Sequence, residues 1–400
     1  MRWLSLAEKT CDDQILKNLR KKTHSTNAAE SELTKVTGYI STGSYAINRI
    51  ISGDVFNGIP EGRVITFAGE SSSGKSLIVS QIIANALDPN QNNYDVVFYI
   101  DSEGGGLWDY LKSKNVNLEK IEYLPVASTE ECAVQMIQIY DSLEKAKAEG
   151  NPIKALVVLD SFGALSADKI ITDATNKSQM VQDMGTGARL KNTLMSTLMM
   201  RVVRSNCSLI VINHVYDNPG ALFTSKVKDM PGGKKLVFAS HVIVQTAKRL
   251  IKENDTEFGT AAMDNNRGED AGFFKGNTLK FFTVKNRIVK PGLEAWVYID
   301  FDYGAGKWDG LLDKAIEYGF VVKDGRKYRV PTFSEDKKFT WDELLTHDEV
   351  WESFIHQFNE KSKEGIKYGS RNEIPADIEN LDELPENDIP QSTIKFVDED

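Results

Sequence analysis

Cysteine is scarce: Cys11, Cys132 and Cys207 are the only three in a chain of 400 residues. Three scattered thiols are too few for a disulfide framework or a zinc site. Cys132 and Cys207 sit among apolar neighbours and read as buried thiols. No charged-then-apolar segment opens the sequence, and no apolar run approaches the length that spans a bilayer, so the expected location is cytoplasmic. An excess of basic residues is lacking as well. The net charge is −10, which by itself speaks against a polyanionic partner, but its distribution reverses that inference. Residues 371–400 hold ten Asp and Glu against Arg371 and Lys395, a net of −8, which leaves −2 for the preceding 370 residues. A near-neutral body with an acidic tail can still present a basic groove.

What is present is ordinary for a globular protein, with 41% hydrophobic and 26% charged residues. The length predicts two or more domains and an ample core. The chain is organised around residues 64–76, VITFAGESSSGKS. Residues 64–68 read as a buried strand and 77–87 as a helix. Between them Gly69, Glu70, Ser71, Ser72, Ser73, Gly74, Lys75 and Ser76 fit G-x-x-x-x-G-K-[ST]. The glycines let successive N–H groups face an anion, and the helix N-terminus adds partial positive charge. Lys75 can reach the outer phosphates, and the Ser76 hydroxyl can ligate Mg²⁺. Strand, loop and helix together predict a nucleoside triphosphate site.

Residues 1–40 form an expected N-terminal arm, with a basic cluster at 17–22 on a short amphipathic helix and a possible docking role. In the core, 41–304, strands at 95–100, 121–126, 154–160 and 207–214 alternate with helices at 107–114, 129–149 and 187–204. That alternation predicts a parallel sheet covered on both faces. Strands at 241–249, 277–285 and 294–301 follow closely and are expected as antiparallel additions at the sheet edge. Residues 305–370 read as a small α+β unit: a helix over 308–319, a hairpin turning at Asp324-Gly325, and a helical stretch from the Thr340–Glu343 capping box to about residue 368. The acidic segment 371–400 is expected to be disordered.

Several groups carry chemistry. Asp160 ends an apolar strand, where a phosphate-loop protein needs a carboxylate to hold its metal. Glu103 follows the strand after the loop's helix and is a candidate to orient or activate the attacking water, the plainer alternative being charge at a helix N-terminus. Asp101 beside it reads as a cap. His214 ends another buried strand, at the strand end where ligands bind, and is a candidate phosphate sensor. Residues 174–187 and 216–235 have no evident core role. The second stretch is basic, with Tyr216 and Phe223 interleaved, a composition suited to single-stranded nucleic acid, though two surface loops would look the same. Lys285 and Arg287, two apart on one strand, share a side. In a monomer they are a solvated face; in a polymer they could act on a neighbour's ATP.

Taken together these residues resemble the RecA recombinase family, most closely its phage UvsX branch, over 40 to about 325. STGS at 41–44 and GESSSGKS at 69–76 look like the family's lead-in and phosphate loop. IDSE at 100–103 resembles the segment with the catalytic glutamate, at Glu103, and Tyr110 matches the aromatic that stacks on adenine. VVLDS at 157–161 matches the metal-binding strand, at Asp160. DMGTGAR at 183–189 resembles the first DNA-binding loop, with Met184, Gly185 and Arg189 in matching places. Phe223, Gly232 and Gly233 match the second loop, in which Lys226 and Lys228 are candidate backbone contacts. VKNRI at 284–288 looks like the paired-cation motif that acts across the subunit interface. The family has glutamine where His214 stands, and arginine where Tyr216 stands; the UvsX branch has INH, as here.

The resemblance implies an α/β fold: a RecA-like P-loop ATPase core with a mostly parallel sheet and antiparallel edge strands, a short N-terminal arm and a small C-terminal α+β unit. It implies a DNA-dependent ATPase, using ATP and Mg²⁺, that forms filaments on single-stranded DNA and exchanges strands with homologous duplex. A loader and a single-strand-binding protein would be partners, and a bacterial host cytoplasm the location if the gene is phage-borne. Alternatives are a RecA-fold hexameric helicase, for which the 40 residues before the core leave no separate N-terminal domain, a non-catalytic accessory paralogue, and a P-loop kinase. Glu103, Lys285 and Arg287 argue against the paralogue, and the lack of an evident lid against the kinase.

Overall fold

The computed structural model describes residues 13–168, 185–216, 227–232, 234–248 and 276–369. Cys11, Met184, Phe223, Lys226, Gly233, most of 174–187 and the acidic tail lie outside them.

The strands in chain order are β1 (Tyr39–Ile40), β2 (Ile59–Pro60), β3 (Val64–Gly69), β4 (Val96–Asp101), β5 (Ile121–Pro125), β6 (Ala155–Asp160), β7 (Ser208–Asn213), β8 (Val242–Lys248), β9 (Gly276–Asn286), β10 (Glu294–Asp300), β11 (Gly304–Ala305), β12 (Val322–Asp324), β13 (Lys327–Val330) and β14 (Ser334–Phe339). Nine of them make one sheet in the order β11-β10-β9-β8-β3-β7-β6-β4-β5. From β8 to β5 every pairing is parallel; β9, β10 and β11 add antiparallel. Every residue of β3, β6 and β7 is buried, which is why their sequences are continuous rather than alternating apolar runs. Two hydrophobic clusters flank the sheet. One takes Ile78, Ile82 and Phe67 on the side of the helix Lys75–Leu87. The other takes Met136 and Leu198 under the helices Thr129–Ala148 and Thr186–Ser205. Cys132 and Cys207 are buried free thiols.

The first of the three later strands departs from expectation. β8 runs parallel to β3, pairing Ile65 with Val242 and Gly69 with Thr246, and of those three strands β9 and β10 are the antiparallel additions, extended by the short β11. A parallel neighbour needs a crossover, and the helix Lys234–Ala239 belongs to it. Six residues with two buried apolar side chains, Leu236 and Ala239, give too short a pattern to read as a helix from sequence.

The C-terminal segment is more broken than its pattern implies. Helix is confined to Leu312–Glu317 within 308–319, and the stretch after Thr340 divides into Trp341–Thr346, Asp348–Glu352 and Ile355–Lys363. The capping box is present. The expected hairpin gains a third strand, β14. Its sequence SEDKKF faces solvent except at Phe339, so composition hides it. Trp308 and Trp351 stack at 5.4 Å, and their cluster is continuous with the one against the main sheet. Asn359 and Lys363 tie the last helix to Asp54 at 3.1 and 2.9 Å. At the other end, the helix Asp13–Thr23 exposes Ile15 and Leu19, whereas Ile40 is fully buried in β1.

Candidate active site

Parallel strands put their C-terminal ends at one edge of a sheet. Here that edge brings together Gly69 on β3, Asn213 on β7, Asp160 on β6 and Asp101 on β4, because the strand order sets β7 between the loop strand and the Asp160 strand. The phosphate loop leaves β3 under tight constraint. A Cβ on Gly69 would meet Thr246 Oγ1 at 2.0 Å, and Gly74 has φ +73° at the N-cap of the following helix. The Ser73 hydroxyl lies 2.8 Å from that of Thr246 and donates to Glu70 O at 2.7 Å. Lys75 Nζ donates to Gly69 O and Glu70 O at 2.9 and 2.6 Å. Burial pulls its pKa down, against the neighbouring acids Asp160 and Glu103. A desolvated ammonium resting on neutral carbonyls is poised to exchange them for phosphate oxygens.

Asp160 Oδ2 accepts from the Tyr99 hydroxyl at 2.8 Å and from Ser76 Oγ at 3.3 Å. Burial raises its pKa, and the negative charge of Glu103 adds to that. A buried carboxylate beside a hydroxyl is a hard oxygen pair that fits Mg²⁺, which takes only one or two protein ligands and leaves other positions to water and phosphate. Among the described residues no group of three or more His, Cys, Asp or Glu forms a closed metal cage.

Glu103 stands next to this pair. Its Oε1 accepts from Ser161 Oγ at 2.5 Å and from His214 Nε2 at 3.0 Å. Burial would raise its pKa, but these two donors, with the charges of His214 and Lys75, hold it below the usual carboxylate range. Glu103 is therefore an oriented anion at neutral pH, the state a water-orienting or proton-accepting group needs. Because a carboxylate only accepts, the His214 proton on that bond sits on Nε2. Asp101 is a cap: its Oδ1 accepts from the N–H groups of Glu103 and Gly104 at 2.9 and 2.7 Å.

The remaining candidates divide. Tyr110 is 9% exposed, its hydroxyl pressed under Gly304, in the wall of a cavity of about 610 Å³. Lys114 lies over both Tyr110 and Tyr303, at 5.3 and 5.5 Å. Gly185 has φ +80° and starts the helix that carries Arg189, whose side chain is exposed. Gly232 has φ +102°, and a Cβ there would meet the Phe162 ring at 2.4 Å, so its place is fixed by packing. Lys228, grouped by sequence with the DNA contacts, pairs with the phosphate-loop residue Glu70 at 2.6 Å.

Lys285 and Arg287 are at the opposite edge. Lys285 is paired in register with Ile243 near the start of β8, the end away from the phosphate loop. Lys285 Nζ donates to Val237 O and Phe238 O at 2.6 and 3.0 Å, and Arg287 Nη2 to Phe238 O at 3.3 Å. Burial, with the adjacent Arg287 charge, lowers the Lys285 pKa to about 8. Nearby His241 is held at about 4 by burial and by Arg63, Arg287 and Lys285.

Sequence reasoning missed Tyr99, Ser102 and Ser161 as supports. Ser102 Oγ accepts from Ser161 N at 3.0 Å and donates to Ser161 O at 2.8 Å, locking the two strand ends. Ser102 and Ser161 each follow the acidic residue that ends a strand, a signal visible in IDSE and VVLDS. Tyr99 gives no such signal, since an aromatic inside an apolar strand reads as core.

A phosphate loop, a hydroxyl–carboxylate pair and an oriented anionic glutamate at one edge of a parallel sheet define a P-loop nucleoside-triphosphate site. A sequence model described as the RecA N-terminal domain matches residues 10–306, most of the chain. The chain belongs to the RecA recombinase family. It is 28% identical over 305 residues to the recombination and repair protein of Enterobacteria phage T4, covering 76% of this chain and 69% of that one. It is also 28% identical to protein RecA of Cereibacter sphaeroides over 289 residues, 72% of this chain and 73% of the relative. Protein RecA of Mycoplasma mobile is 28% identical over 283 residues, 71% of this chain and 73% of its own.

Proposed function

We propose that the chain is an ATP-dependent DNA recombinase, a DNA-dependent ATPase that polymerises on single-stranded DNA and exchanges strands with homologous duplex. The observation that carries this reading is the separation of charges between the two edges of the sheet. The phosphate edge has a loop lysine, a carboxylate fit for Mg²⁺ and an anionic Glu103. Lys285 and Arg287 lie at the far edge, beyond reach of their own loop. Head-to-tail stacking of copies would bring one protomer's far edge to the next protomer's phosphates, which makes the complete site a property of a polymer.

In this reading Lys75 and the loop would bind the phosphates, and Ser76 and Asp160 would hold Mg²⁺, whose charge would offset that of the phosphates. Glu103 orients the attacking water and accepts its proton, and the partner's cations stabilise charge on the terminal phosphate. The base would rest against the Tyr110–Lys114–Tyr303 wall. His214, bonded to Glu103, would report phosphate state to the segment after β7. Arg189 and the stretch ending at Gly232 and Gly233 would hold the strand, with Met184, Phe223 and Lys226 as further contacts. A loader and a single-strand-binding protein would assist assembly, and the tail at 371–400 would compete for the DNA groove.

The deciding experiment is ATP turnover by purified protein with and without single-stranded DNA, alongside electron microscopy of the assembly. Stimulated turnover with long filaments is the expected result. Turnover indifferent to DNA overturns the proposal, and closed rings would favour the helicase reading.

A further inference from the structure

Lys228 is held in place by the ATPase core. Its backbone N–H donates to Gln245 Oε1 at 3.1 Å, and its carbonyl accepts from Gln245 Nε2 at 2.7 Å. Gln245 is 2% exposed and lies on β8, paired with Ala68 just before the phosphate loop. From this anchored backbone the ammonium reaches Glu70 Oε1 at 2.6 Å. The same short segment is fixed at a second point, where Asn213 Nδ2 donates to Pro231 O at 2.9 Å. Its near end is closed by paired bonds between Tyr216 and Asp229, at 2.9 and 3.2 Å.

Glu70 is an acid inside a loop built to receive anions. A triphosphate there adds negative charge beside the carboxylate, and like charges at short range repel. A lysine paired with that carboxylate offsets its charge, and added phosphate charge nearby would hold the ammonium more firmly. From this we infer that Lys228 is a positioning residue of the nucleotide site, not a DNA contact: with Glu70 it ties residues 227–232 to the phosphate loop according to its occupancy. The inference rests on the recombinase reading for its consequence, that nucleotide and single-stranded DNA affinities are coupled through this pair, in parallel with Glu103–His214.

Two readouts on the full-length protein test it. Fluorescence anisotropy with labelled oligo(dT) gives DNA affinity with a non-hydrolysable ATP analogue and with ADP. Hydrogen exchange of residues 227–232, without DNA, gives the tie itself. In Lys228→Met the ratio of the two DNA affinities should collapse by about tenfold, within the usual span of allosteric coupling, and nucleotide should no longer slow exchange in 227–232. Glu70→Gln should do the same, the double variant should be no worse than either single one, and Lys228→Arg should restore both readouts. Equal loss of DNA affinity with both nucleotides, or additive single variants, overturns the inference. Nucleotide-dependent exchange that vanishes in Lys228→Met sustains the pair even if wild-type turnover ignores DNA, an outcome that would sink the recombinase reading alone.

Discussion

The two polar edges of the main sheet make opposite use of charge. At the phosphate edge Glu103 has Ser161 and His214, Asp160 has Tyr99 and Ser76, and Glu70 has Lys228. At the far edge Lys285 and Arg287 rest on the carbonyls of Val237 and Phe238, and Arg63 on those of Leu33 and Lys35. One edge gives each of three carboxylates its donors, while the other holds three cations on neutral acceptors, as the phosphate edge does only for Lys75. On the reading proposed above, the difference means that a site's residues need not share an edge, or even a copy of the chain. A cation resting on carbonyls gives up little when a phosphate is offered, because a charge-assisted bond to an anion is stronger.

The largest test of this contrast is Glu103→Gln, which keeps the shape and removes the charge. DNA-stimulated turnover should fall by about 1,000-fold, in the range for loss of a key polar group at a transition state. Retention of labelled ATP analogue by the variant would separate chemistry from binding, and unchanged turnover would break the assignment. Lys285→Ala should cost about 100-fold or more, on the scale of a charge supplied from a partner. Mixing it with Glu103→Gln protein should restore part of the turnover, since a mixed interface can join an intact Glu103 to an intact Lys285. If mixing restores nothing, the two edges do not meet across protomers.

A smaller effect concerns the far edge alone. His241 Nδ1 accepts from Val64 N at 3.1 Å, which only the neutral ring can do. Its folded pKa is about 4 against 6.5 for the free residue. Between those values the unfolded chain binds the proton and the folded one does not, so stability falls as pH drops from 6.5 to 4. The loss is about 3 kcal/mol at most, from 1.36 kcal/mol per unit. Urea melts should show this slope in the wild type and a shallower one in His241→Asn, and equal slopes would contradict the assignment. The smallest effect is at the phosphate edge. Thr246→Val removes the hydroxyl beside Ser73 and should cost about 1 kcal/mol of stability, the net worth of one buried hydrogen bond, read by the same melts.

Much of the phosphate edge is legible in the sequence because it is local. A glycine-bounded loop between an apolar strand and a helix, or an acid closing a buried strand, is written within about ten residues. Asp160, Glu103 and His214 each follow an apolar run, and parallel strands bring such ends to one side. The crossover helix Lys234–Ala239 was illegible because six residues carry no periodic signal, and β14 because an exposed strand resembles a polar loop. The contacts of Lys228 are illegible for a related reason: a lysine in a basic, glycine-containing stretch reads as a DNA contact, and nothing local shows that Gln245, seventeen residues on, holds its backbone.

The sequence by itself determined that a glycine-bounded phosphate loop joins a buried strand to a helix, which acids close the neighbouring strands, and which family the chain resembles. Those depend on residue types at short spacing, where backbone geometry leaves little choice. Only the tertiary structure decided that β8 runs parallel to β3, that Lys285 and Arg287 stand across the sheet from the loop, and that Lys228 reaches Glu70. Those are contacts between segments far apart in the chain. They follow from strand order and burial, which no local pattern encodes.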